Sequence, residues 1–336
     1  MDRVCVTGGS SFLSGHIISL LLDQGYAVQT TVRADARGEE VRKLVEDLNP
    51  EQADRVGIFV CDLRKESNWK QAMQQCRFVM HVASPFSSIA SESEDEIVSM
   101  AVDGTLRVLK AALAAGVERV ALTSSFGAIA YGQPWRGKVF DERDWTKLQG
   151  PGVFPYIKSK TLAEKAAWDF IEREGGSMEL SVINPVGIFG PIIGKPSSST
   201  EIISSLLSGK VPMAPRLHFG VVDVRDVAEL HLLAMLSEQA AGQRFIANQG
   251  STVSLIGIAR ILSKVEQNAD SLPTREMPNW LVRLLALFNP QLKQIAPQLG
   301  IVRESTSAKA RELLDWSSRP LEETILDTAR SLRNDQ

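Results

Sequence analysis

The chain has 336 residues, of which 44% are hydrophobic and 23% charged, with a formal net charge of -3. These values describe an ordinary globular protein, longer than one typical domain and able to bury a substantial core. They exclude a global electrostatic pull toward nucleic acid or an anionic membrane.

Residues 3–7 form a short apolar β-type run, followed at once by Gly8-Gly9-Ser10-Ser11. A strand this early leaves no room for a signal peptide. The three scattered cysteines, Cys5, Cys61 and Cys76, lack metal-ligand spacing and read as reduced, buried thiols. A cytoplasmic protein without a metal is expected. An apolar helical pattern over residues 12–24 stops at Gly25, and a second strand spans residues 27–32. Strand, small-residue turn, helix, strand is the opening of a nucleotide-binding βαβ unit, whose helix start offers N–H groups and a dipole to a pyrophosphate. An NAD site places a carboxylate near the end of the second strand. Here Val32 holds that position and Arg33 follows, a guanidinium suited to a 2′-phosphate. Arg37, Arg42 and Lys43 add positive charge, and Asp35 is the only nearby acid that competes for the NAD role. NADPH is the expected cofactor.

The third strand, residues 56–60, is followed by Asp62, placed to accept from an adenine amino group, and by Leu63, placed to line the ring. The fourth, residues 78–82, ends in Ala83-Ser84-Pro85, small enough for a ribose to approach. Acidic residues 92–96 open a helix that runs through Val102, Leu106, Leu109 and Leu113 to Gly116. The fifth strand, residues 117–123, delivers Ser124 and Ser125 to its carboxyl end, the edge at which open parallel sheets bind ligands. Beyond Trp135 and Trp145, a helix reaching about residue 174 and closed by Gly175-Gly176 carries Tyr156 and Lys160 four apart on one face. An ammonium beside a phenol favours the phenolate, so such a tyrosine can trade a proton near neutral pH. A sixth strand, residues 180–183, leads to Asn184-Pro185. Residues 186–219 are rich in proline and serine and read as loop; residues 220–222 form a short return strand before a helix over 226–236. From residue 251 the chain reads as helical. Its most apolar stretch, residues 280–288, is too short to span a bilayer and carries Arg283. No repeat is present.

In this order and spacing the residues resemble the extended short-chain dehydrogenase/reductase superfamily (the NAD-dependent epimerase/dehydratase fold family). The nearest group is the dihydroflavonol-reductase-like carbonyl and aldehyde reductases. The motifs are Val6-Thr7-Gly8 with Phe12-Leu13, Thr31-Val32-Arg33, Cys61-Asp62-Leu63, the run from His81 to Pro85, Leu122-Thr123-Ser124-Ser125, Tyr156 through Glu164, Asn184-Pro185, Phe189-Gly190-Pro191, and Val222 through Ala228. They cover roughly residues 4–234. The departure is in the loop Thr-Gly-x-x-Gly-x-x-Gly, where Ser11 and Ser14 replace the later glycines. Ser14 is the harder to place beside the strand.

The resemblance implies an α/β fold, a doubly wound parallel (Rossmann) sheet over residues 1–185 with 219–250 returning to it. Residues 186–218 and 251–336 form a smaller, mostly helical substrate lobe. It implies that Tyr156 protonates a carbonyl oxygen, that Lys160 bonds the nicotinamide ribose and lowers the tyrosine pKa, and that Ser125 holds the substrate oxygen, with Ser124 as the alternative. Thr7, Gly8, Ser11, Phe12, Leu13, Arg33, Lys43, Asp62, Leu63, Ala83, Ser84, Ser124, Tyr156, Lys160, Pro185 and Val186 would hold the cofactor. Asp223 and Asp226 would fasten the return helix to the lobe. The run Phe126-Gly127-Ala128-Ile129-Ala130 after Ser125 points to a hydrophobic or aromatic aldehyde or ketone. Trp135, Trp145, Phe154, His218 and residues 280–288 are candidate pocket residues. Competing readings are an NAD-dependent nucleotide-sugar epimerase, a hydroxysteroid or other alcohol dehydrogenase, and a non-catalytic dinucleotide sensor. Monomer and homodimer, the latter through residues 97–115 and 159–174, are both compatible with the pattern.

Overall fold

Seven short runs, nearly all apolar, build one parallel sheet in a computed structural model that describes residues 1–85, 93–264 and 271–334. The strands are β1 (Arg3–Thr7), β2 (Ala27–Val32), β3 (Val56–Val60), β4 (Phe78–His81), β5 (Arg119–Thr123), β6 (Glu179–Pro185) and β7 (Arg244–Ala247), in the spatial order β3-β2-β1-β4-β5-β6-β7. A parallel sheet is covered on both faces, so its strands need not alternate with polar residues. The strand period of two still divides them: Val4 and Val6 join a core on one face, while Cys5 between them joins a core on the other. β1 pairs with β2 on one side and β4 on the other, with Thr7 opposite His81. The strand order reverses there, which is where an open α/β sheet forms its crevice.

Helices α1 (Phe12–Asp23) and α2 (Asp35–Leu48) follow the first two strands. On the other face α3 (Glu94–Ala114) packs on α4 (Pro155–Glu174), burying Val108, Leu109, Ala167 and Phe170. Ser93 and Glu96 cap α3 reciprocally, the Ser93 N–H donating to Glu96 Oε2 at 2.8 Å. The expected helix start at residue 92 lies outside the described residues. Pro155 begins α4, a position whose N–H has no helical partner in any case.

The C-terminal lobe has its own core, in which Ile203 of α5 (Ser198–Leu207), Ile258 of α7 (Leu255–Leu262) and Ile325 of α8 (Leu321–Asn334) meet. Between α5 and α7, α6 (Val224–Leu236) packs on the sheet beside α1. Asp223 caps α6, accepting from the Arg225 N–H at 2.9 Å and from Thr324 Oγ1 at 3.0 Å; buried Asp226 accepts from the Arg319 N–H at 2.6 Å. Both aspartates therefore tie α6 to the chain's last segment.

Three expectations change. The stretch read as loop contains α5, opened by a reciprocal cap between Ser197 and Thr200 that the serine run concealed. β7 is a strand within a segment recognised only as returning to the sheet. Ala310, Leu314 and Trp316, assigned from sequence to the lobe, are buried in the sheet's core, and Trp316 Nε1 donates to the Asp226 carbonyl at 2.8 Å. Among the described residues no helix is long and apolar enough to cross a membrane, and no group of His, Cys, Asp and Glu is placed to hold a metal. The three thiols are buried and unpaired; burial pushes Cys61 and Cys76 up to about 12.

Candidate active site

The turn between β1 and α1 is built from steric necessity. Gly8 has φ +75, and a Cβ there would lie 3.0 Å from Ala83 Cα; a Cβ on Gly9 would lie 2.2 Å from Thr30 Oγ1. Both positions demand glycine. The replaced glycines do not open the turn. Ser11 caps α1, donating from its hydroxyl to Ser14 Oγ at 2.8 Å, and the fully buried Ser14 hydroxyl turns back to the Thr7 carbonyl at 3.4 Å. The tight approach expected at Ser14 thus falls on Gly9.

Thr7 was assigned to the cofactor, but it is fully buried beneath the turn. Its hydroxyl accepts from the N–H groups of Val82 (3.1 Å) and Ala83 (3.0 Å), which leaves its proton for His81 Nδ1 at 2.8 Å. Thr7 thereby pins β1 to the end of β4. His81 stays neutral, its pKa lowered to about 3 by burial and by Lys160.

A cleft of about 660 Å³ runs along the carboxyl edge of the sheet. Gly8, Ser11, Phe12 and Leu13 line it at the turn; Arg33, Asp62, Leu63, Ala83 and Ser84 line it beyond β2, β3 and β4; Ser124, Ser125, Tyr156, Lys160, Pro185 and Val186 line its other end. Lys43 does not. It is exposed on α2, and Arg37 with Lys195 contributes the additional positive charge to the lining, both near Glu40 (2.9 and 3.4 Å). Asp35, the competing acid, also stays out of the lining. Asp62 is held by the Arg64 guanidinium at 3.0 Å, which keeps its carboxyl below the usual range.

The two serines after β5 have separate surroundings. Ser124 donates to Glu164 in a buried network where Glu164 also accepts from Asn184 Nδ2 (2.7 Å) and Arg244 Nε (2.6 Å). Arg244 lies over the Trp145 ring at 3.8 Å, so Trp145 belongs to this network and not to a pocket wall. Ser125 instead accepts from the Gly127 N–H at 3.0 Å and shares a hydrogen bond with Tyr156. Burial raises the Tyr156 phenol above its ordinary value, the Ser125 bond pulls it down, and Tyr131 adds to the rise. Lys160 lines the same end of the cleft as Tyr156. The ammonium donates to the Thr123 carbonyl at 3.4 Å, and its own pKa is lowered to about 8 by burial, against the opposing pull of Glu164. The Glu164–Arg244 pair was missed from sequence, since its partners stand 80 residues apart.

On the far side, Phe154 stacks on Tyr156 (6.4 Å) and meets Tyr131 edge-on (6.1 Å). Phe154 itself is 41% exposed and lies outside the cleft lining. Trp135 packs beside Ile129, Ala130 and Phe140 in a separate cluster. Trp280 and Phe288 are 65% and 84% exposed. His218 lies outside the cleft lining, its Nδ1 buried and unbonded.

A profile of the 3-beta hydroxysteroid dehydrogenase/isomerase family matches residues 5–254. A cinnamoyl-CoA reductase of Medicago truncatula is 31% identical, covering 98% of this chain and 95% of its own. An NADPH-dependent methylglyoxal reductase of Saccharomyces cerevisiae is 30% identical over 98% and 97% of the two chains. The crystal structure of yeast methylglyoxal/isovaleraldehyde reductase complexed with NADPH superposes with a TM-score of 0.81 at 27% identity, over 99% of each chain.

Proposed function

The chain belongs to the 3-beta hydroxysteroid dehydrogenase/isomerase family, and on that premise we propose that it is an NADPH-dependent reductase converting a hydrophobic or aromatic aldehyde or ketone to its alcohol. The observation that carries this reading is one cleft with Arg33 near one end and the hydrogen-bonded pair Ser125–Tyr156 beside Lys160 at the other.

The residues suit the cofactor. Gly8 and Gly9 let the backbone at the start of α1 approach a pyrophosphate, and the side chains at the end of β2, Val32 and Arg33, offer a 2′-phosphate a cation and no carboxylate. Reduced nicotinamide supplies the hydride when bound. Pro185 and Val186, which line the cleft, would provide a surface for its ring. Ser125 hydrogen-bonds the substrate oxygen, and Tyr156 delivers its proton to that oxygen as negative charge develops. The raised phenol pKa keeps the proton on Tyr156 at neutral pH until it is needed. Lys160, already facing the cleft, would bond the ribose and offset the phenolate left after transfer. Ser124 holds Glu164 and takes no part in proton transfer. The NAD epimerase reading wants an acid at the end of β2, where Val32 stands with Arg33 after it, and a dehydratase would also want carboxylates beside the serine, where Phe126-Gly127 offers none. The buried thiols fit a reducing compartment such as the cytoplasm.

The test is NADPH oxidation with benzaldehyde and a panel of aryl ketones, scored by alcohol formed per NADPH consumed. One alcohol per NADPH supports the reading. Binding of NADPH without consumption of any carbonyl compound would remove it.

A further inference from the structure

We infer that Arg303, lying on Tyr131, forms an anion subsite that selects carbonyl substrates carrying a carboxylate. The inference rests on the reductase reading and deepens it. The Arg303 guanidinium lies over the Tyr131 ring at 4.0 Å, and Nη1 donates to Gln298 Oε1 at 3.0 Å. Gln298 is in turn fixed to the Gly152 carbonyl at 3.3 Å, close to the start of α4. The Arg303 Nε is buried with no hydrogen-bond partner.

Among the described residues no carboxylate pairs with this cation. The adjacent Glu304 is turned to Thr252, accepting from its N–H at 3.1 Å and its hydroxyl at 2.8 Å, and Glu276 is held by Arg216 at 2.8 Å. A cation partly withdrawn from water without an anion carries a cost, and the Tyr131 face offsets only part of it. Such a group at the end of a ring series that begins in the cleft at Tyr156 is a candidate for ligand recognition. Its position supports this: Arg303 rests on Tyr131, Tyr131 meets Phe154, and Phe154 stacks on the proposed proton donor Tyr156. A planar substrate with its carbonyl at Tyr156 would lie along these rings and direct a group at its far end to the guanidinium. A carboxylate suits that fork, bonding in two parallel contacts. The subsite modifies the apolar pocket expected from residues 126–130, which have no charge of their own.

The test compares 4-carboxybenzaldehyde with methyl 4-formylbenzoate, equal in shape near the carbonyl and differing in charge. The expected kcat/KM ratio of acid to ester in the parent protein is about tenfold or more, carried by KM, as for one charge-assisted contact. In Arg303→Met the ratio falls to about one, and Arg303→Lys recovers part of it. A parent protein that reduces both compounds without preferring the acid overturns the subsite and leaves the reductase reading standing. Equal losses on both substrates in Arg303→Met overturn it too, assigning Arg303 to packing. If Arg303→Met does not fold, decline of the parent ratio with added salt supports the charge contact, and a salt-independent ratio overturns it. Failure to reduce any aldehyde while NADPH binds removes both proposals.

Discussion

The β1–α1 turn and the C-terminal lobe treat their buried polar groups in opposite ways. At the turn they answer one another: Ser11 with Ser14, Ser14 with the Thr7 carbonyl, and Thr7 with His81 and two N–H groups. In the lobe, Arg303 Nε, His218 Nδ1 and Asn279 Oδ1 are buried without partners. A site that closes on itself presents a fixed frame to a cofactor whose shape is constant. Of the three unpartnered groups, Arg303 is the one that the proposed anion subsite would use. The cost of an unmet buried polar group makes the difference physical.

The largest effect is expected at Tyr156. Tyr156→Phe keeps the ring on Phe154 and removes the proton, so carbonyl reduction should fall by about 10²–10⁴-fold while NADPH titration is unchanged. Turnover surviving that change would assign the acid elsewhere. Next in size is Glu164→Ala, which strands Arg244 in the interior. Urea unfolding should show about 3–5 kcal/mol lost. A loss below about 1 kcal/mol would mean that the Ser124–Glu164–Arg244 network is not a structural tie.

The frame's histidines predict a pH dependence. Burial holds His16, His81 and His231 neutral, with pKa values lowered to about 4, 3 and 4 from 6.5. Below pH 6.5 the unfolded chain takes up protons that the folded chain refuses. Their contribution is therefore complete above 6.5 and declines as pH falls toward 4, each histidine removing up to about 1.4 kcal/mol per pH unit. Urea midpoints at pH 7, 6 and 5 on the wild type and His231→Gln check this; parallel curves would contradict it. Smaller again is Gly9→Ala, which pushes a Cβ into Thr30. About 1–3 kcal/mol should be lost, together with NADPH affinity. An unchanged dissociation constant would show that the turn is not the phosphate cradle.

The same contrast explains what could be read from the sequence. The turn was legible because backbone geometry restricts residue type: φ +75 at Gly8 and the contact at Gly9 admit little else. β1 to β6 were legible as apolar runs separated by turn residues. β7 has four residues and begins with Arg244, whose role depends on a distant glutamate, so no local pattern marked it. Lys43 and Arg37 could not be told apart by charge, since only the orientation of α2 brings one to the cleft. Ser124 and Ser125 were equivalent by spacing; Glu164, brought from α4, separates them. The ring series from Tyr156 to Arg303 joins segments more than a hundred residues apart, and nothing in either segment alone announces it.

We propose that this cleft holds NADPH through Arg33, ready for reduction at Tyr156. The most direct test is titration of purified wild type and Arg33→Ala with NADPH and NADH, followed by nucleotide fluorescence. We predict that wild type binds NADPH more tightly than NADH, and that Arg33→Ala weakens NADPH about 10–100-fold with little change for NADH, as for loss of one charged hydrogen bond. Equal weakening of both, or wild type preferring NADH, would rule out Arg33 as the 2′-phosphate partner.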